Sequence, residues 1–85
     1  MITVLKFPED FKKQSHPIIP GATQWIVRVG EKFISIVGGG FGIHGNGKTT
    51  FEMWDTRNMY DPEGHMTEKE INEHLQKHPI EEILI

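Results

Sequence analysis

Cysteine is absent from this 85-residue chain, so neither a disulfide framework nor a thiolate metal site supplements its core, and nothing points to an oxidising compartment. Long apolar runs are missing too. No window approaches the roughly 20 apolar residues of a membrane span, and the opening MITVLKFPEDFKK lacks the basic and apolar segments of a secretory signal. A cytoplasmic protein without membrane contact is expected. Basic residues are outnumbered: nine Lys and Arg against twelve Asp and Glu give a net charge of -3, which argues against nucleic acid as a partner, because duplex binding rests on basic contacts to phosphate. Catalytic patterns are lacking as well. No Ser occupies a nucleophile elbow, and the acids are scattered, with Glu68, Glu70 and Glu73 on a helix surface and Glu81 and Glu82 beside a last strand. A solvated charged face explains them, so a non-enzymatic protein without a cofactor is expected.

What is present suffices for one small globular domain over residues 1–85: 36% hydrophobic residues, with two Trp and five Phe, exceed what a disordered chain carries. A chain this short buries only about 60 to 65% of its unfolded surface, so stability is expected to be modest.

The β-branched segment Ile2 to Phe7 reads as a short strand stopping at Pro8, and Pro8 to Gly21, with three prolines, reads as a connecting loop. Trp25 to Val29 and Phe33 to Val37 flank the two-residue turn Gly30-Glu31, a hairpin signature. Such a turn pairs Val29 with Lys32, Val27 with Ile34 and Trp25 with Ile36. Trp25, Val27, Ile34 and Ile36 then share one face, while Gln24, Ile26, Arg28, Phe33, Ser35 and Val37 form a mixed, partly exposed one.

Thr49 to Trp54 alternates with period two and reads as a further strand; Asn58 to Gly64 is turn-like. Thr67 followed by Glu70 makes a capping box at a helix start, Ile71 and Leu75 form the buried stripe, and Pro79 ends the helix after His78. Ile80 to Ile85 is a last strand. The expected fold is α+β: a small, mostly antiparallel sheet of four to five strands with one C-terminal helix on one face. An exposed edge strand would leave a homo-oligomer open.

The connection GGGFGIHGNGKTT spells the phosphate-loop pattern GxxxxGK(S/T) from Gly42 to Thr49. A working phosphate loop joins a strand to a helix whose N-terminal amides hold the anion. Here the residues after Lys48 favour a strand, so triphosphate hydrolysis is not expected. Three readings remain. The six glycines between Gly38 and Gly47 make a flexible connection; or Phe41 and Ile43, apolar and two apart, are offered to a partner, with Trp54 and Tyr60 as further aromatic anchors; or the glycine amides form an anion nest, with Gly42, Gly45, Gly47, Lys48 and Thr49 sequestering a nucleotide or phosphate.

Five histidines are many for 85 residues. His74 and His78, four apart on the helix, would aim at one metal ion, with His44 or His65 completing a site. Without cysteine the pattern is thin, and the two rings are expected at the edge of the buried stripe instead.

The run FISIVGGGFGIHGNGKTTFEMWD, followed by DPEGHMTEKEINEHL, resembles a class of small tailed-bacteriophage proteins. In these a strand ending in a YGG-like glycine loop precedes a Phe-Glu-Val/Leu strand, and a GYLTEEEV helix start follows. Phe51-Glu52-Met53 and Gly64 to Ile71 occupy those positions, and the resemblance covers about half the chain. His65 stands where an aromatic is usual, and the glycine loop is longer. The resemblance implies an accessory phage product acting in the host cytoplasm, which binds and inhibits or redirects a bacterial host or anti-phage defence protein.

Overall fold

The computed structural model describes residues 2–81. Among these, seven strands and one helix follow in the order β1 (Ile2–Thr3), β2 (Lys12–Ser15), β3 (Ala22–Val29), β4 (Lys32–Gly39), β5 (Phe51–Asp55), β6 (Glu63–Met66), α1 (Glu68–Lys77) and β7 (Ile80–Glu81). β2 to β6 form a five-stranded sheet in sequence order, antiparallel throughout, and β1 pairs with β7 in a second, two-stranded sheet. The chain is thus a small α+β protein with one helix near its C-terminal end.

The central hairpin has the expected register: Val29 opposite Lys32, Val27 opposite Ile34, Trp25 opposite Ile36. Gly30 enters the turn at φ +62, a conformation that costs other residues a clash with their own Cβ. Trp25, Ile34 and Ile36 are buried on the shared face together with Phe51, Met53 and Met66, and Ile71 and Leu75 of α1 close over them. Phe7 sits at the centre of this core, edge-on to Phe11, Trp25 and Phe51 with ring centres 5.1 to 5.6 Å apart, the arrangement that ring quadrupoles favour. The helix begins where the capping box places it. Thr67 Oγ1 accepts from the Glu70 amide, and Glu70 Oε1 accepts from the Thr67 amide.

Five expectations are corrected. The first strand is two residues long rather than six, because Phe7 turns into the core and Asn72 of α1 takes over the backbone at Phe7, accepting from its N–H and donating to its C=O. The segment Pro8 to Gly21 contains β2, an edge strand, and the turn-like segment Asn58 to Gly64 contains the start of β6. The strand expected over Thr49 to Trp54 runs instead from Phe51 to Asp55. On the outer face of the sheet, Gln24, Ser35 and Val37 are buried rather than partly exposed. A hydrogen-bond chain satisfies the polar members: Gln14 donates to Gln24, which donates to Ser35. Of the last expected strand, Ile80–Glu81 pairs with β1, and residues 82–85 lie outside the described part. No helix among the described residues is long and apolar enough to cross a membrane.

Candidate functional site

The glycine-rich segment connects β4 to the antiparallel β5, so the GxxxxGK(S/T) residues stand between two strands and not ahead of a helix. Its two arms touch. A Cβ on Gly38 would lie 2.2 Å from Gly47 Cα, and one on Gly45 would meet the backbone of Phe51 at 2.6 Å. Only hydrogen side chains permit that approach. The turn at its far side is organised by Asn46, whose Oδ1 accepts from the amides of Lys48, Thr49 and Thr50 at 2.7, 2.8 and 3.2 Å. Its Nδ2 donates to Thr49 Oγ1, and its amide donates to Thr50 Oγ1. The Gly47 amide donates to Thr50 O.

These contacts bear on two of the three readings of the loop, the flexible connection and the anion nest. It is an internally hydrogen-bonded turn, more than a bare connection. The amides of Lys48 and Thr49, which an anion would need, already converge on one oxygen acceptor supplied by the chain itself. A phosphate binding there would have to displace the Asn46 carboxamide.

The four aromatic and apolar candidates do not gather on one surface. Phe41, 92% exposed, and the half-buried Ile43 lie beyond the end of β4. Tyr60, 97% exposed, lies beyond the end of β5 and therefore at the opposite end of the sheet. Trp54 sits between them on the outer face, edge-on to Phe33 at 5.7 Å, with its Nε1 donating to Met59 O. The residue that sequence reasoning missed is Ile18, 82% exposed in the β2–β3 connection. That connection meets the glycine loop: Ala22 pairs with Gly39, and Gly21 faces Gly40. His16 Nδ1 holds the turn by accepting from the Ile18 and Ile19 amides at 3.1 and 3.0 Å. The signal was the segment Pro17-Ile18-Ile19-Pro20, two apolar residues between prolines in an otherwise polar stretch.

The opposite end carries a buried carboxylate. Asp55 is fully buried. Its Oδ1 accepts from Arg57 N and Nε, and its Oδ2 accepts from Arg57 Nη2 at 2.8 Å and Asn58 Nδ2 at 3.2 Å, and lies 2.9 Å from His74 Nε2. Arg57 also donates to the carbonyls of His78 and Pro79, binding the end of α1 to the end of β5. Burial alone would raise the carboxyl of Asp55, but the hydrogen bonds from Arg57 and His74 and the guanidinium charge bring it from 3.8 to about 2. Five donors on two oxygens saturate its acceptor sites. That leaves Asp55 no lone pair for a substrate, so the arrangement acts as a clamp. Sequence periodicity held the clue: continuing the alternation of Phe51 and Met53 by two residues lands on Asp55.

The histidines divide between the two ends. The His74 and His78 rings stand 4.5 Å apart at the edge of the buried stripe, with His74 committed to Asp55. His44 and His65 meet each other near the start of β5, at 5.8 Å. About 13 Å of strand separates the pairs, so neither His44 nor His65 completes a site with the helical pair. No group of three or more His, Asp or Glu among the described residues is placed to enclose a metal ion. Comparison of the chain with protein-family models, curated proteins and solved structures finds no match.

Proposed function

We propose that the protein is a non-enzymatic binding module whose contact surface is the loop end of the sheet, with Phe41 as the main anchor and Ile43 and Ile18 beside it. The observation that carries this reading is Phe41 itself. A phenylalanine 92% exposed, next to a turn hydrogen-bonded through Asn46, is a large apolar side chain presented on an ordered support. The resemblance to small phage proteins supports the context: an accessory product that engages a bacterial host or anti-phage defence protein in the host cytoplasm and inhibits or redirects it. Aromatic anchors dominate interfaces of this kind.

A partner that fully covers Phe41 gains about 1.5–3 kcal/mol from that side chain, so Phe41→Ser is expected to weaken binding roughly 10- to 100-fold. The experiment is a pull-down from bacterial lysate with tagged protein and mass spectrometry of the retained proteins. Wild type is compared with a Phe41→Ser/Ile43→Ser double variant and with Tyr60→Ser at the other end. One protein retained by wild type and by Tyr60→Ser, and lost by the double variant, is the expected result. Equal retention by all three would remove the loop end as the contact surface.

A further inference from the structure

We propose that His44 and His65 form a two-imidazole site for a borderline divalent metal ion of the Zn²⁺ type, which fastens the glycine loop to β6.

Four features of the backbone bring these two rings together. His65 is the one non-glycine residue among those described with a left-handed backbone, at φ +55, a conformation uncommon outside glycine. Its amide donates to His44 O at 2.6 Å. Gly64, between Glu63 and His65 in β6, leaves the space that the His44 side chain fills: a Cβ there would stand 2.4 Å from His44 Cβ. The ladder between β5 and β6 shifts register over the same stretch, so the strand is bent where the two imidazoles meet.

The rings themselves suit the role. Both residues are exposed. Neither ring nitrogen of either residue hydrogen-bonds to a protein group among the described residues, which separates this pair from His74, held by Asp55, and His16, whose Nδ1 accepts two amides. The centres stand 5.8 Å apart with planes inclined at 46°. With Zn–N bonds of about 2.0–2.1 Å, two imidazoles at a tetrahedral angle have centres roughly 5 to 6 Å apart. Imidazole suits Zn²⁺, Cu²⁺ and Ni²⁺. Since no third ligand among the described residues stands close enough to form a closed protein site, water or a side chain from a docked partner fills the remaining positions, and the ion is exchangeable.

The site is tested with the full chain carrying no histidine tag, stripped with chelator and titrated with zinc chloride near neutral pH. Calorimetry reads the stoichiometry, and the imidazole signals in NMR spectra identify the ligands. His65→Asn is the informative variant, because asparagine accepts the left-handed backbone but removes the imidazole; His44→Gln is its partner, and circular dichroism checks that both fold. Losing a group that only orients a ligand costs about 10- to 100-fold in metal affinity, so losing a ligand is expected to cost at least tenfold. The expected result is one zinc per chain, shifts at His44 and His65, that loss in each variant, and unchanged binding in His78→Ala. Failure of wild type to bind zinc, affinity unchanged in both variants, or binding lost only in His78→Ala would each overturn the assignment.

Discussion

At one end of the five-stranded sheet the turn satisfies its own backbone and leaves large apolar side chains in water; at the other a charged group is buried and fully hydrogen-bonded. Asn46 spends its side chain on three amides of its own loop, while Phe41 and Ile18 stand out. Asp55 is fully enclosed and holds Arg57, Asn58 and His74, with Arg57 reaching on to the end of α1. The difference separates two kinds of polar residue. Saturated ones inside hold elements together, and those that organise an exposed turn leave neighbouring surface free for a partner.

The largest effect that tests this contrast is Asp55→Ala. Removing the carboxylate strands Arg57 and His74 without their partner, and breaking a buried pair in this way costs about 3–5 kcal/mol, to be read from urea denaturation. A loss below about 1 kcal/mol would mean the clamp is incidental.

Acid sharpens the same point. Because the folded chain holds the Asp55 carboxyl at about 2 against an ordinary 3.8, its stabilisation is complete above the ordinary value. It disappears as pH falls through 3.8 toward 2, and amounts to about 2 kcal/mol. Thermal melts across that window should show the decline in wild type and a flatter profile in Asp55→Asn. Identical slopes would assign the acid sensitivity elsewhere.

At the loop end the effects shrink. Asn46→Ala frees three exposed amides to water and is expected to cost about 1–2 kcal/mol, whereas Asn46→Asp keeps the acceptor and should cost less. Equal losses in the two variants would show that the acceptor is not what matters. Phe41→Ser should change stability by no more than about 0.5 kcal/mol. A larger drop in its denaturation midpoint would place Phe41 in the folded core and end its candidacy as a contact residue.

The parts of this fold legible in the sequence are those where one local rule decides. Gly30 with alternating apolar residues on either side sets the hairpin and its register, and Thr67 with Glu70 sets the helix start. β2 was hidden because an edge strand with the sequence Lys12-Lys13-Gln14-Ser15 has no apolar alternation to display. It is fixed by pairing with β3, where Lys13 lies over the ring of Trp25. β6 was hidden because its first two residues, Glu63-Gly64, fall in a stretch that reads as a turn, and the left-handed backbone of His65 has no sequence signature. Of the candidate surface, Phe41 was visible as an apolar residue among glycines, but Tyr60 was grouped with it because sequence distance says nothing about which end of a sheet a loop occupies. The Asp55 clamp joins residues up to 24 positions apart, from Asp55 to Pro79, and no spacing rule reaches that far.

The pairing of β1 with β7, Ile2 opposite Glu81 and Thr3 opposite Ile80, sets an order of events in time. The central hairpin closes a two-residue turn, but this ladder closes a loop of nearly the whole described chain, and closure entropy grows with loop length. Among the described residues, two pairs reward it. The small sheet is therefore the last part to form and the first to open, so in native-state hydrogen exchange the amides of β1 and β7 should exchange well before those of β3 and β4. Equal protection of both would mean that the two sheets open together as one unit.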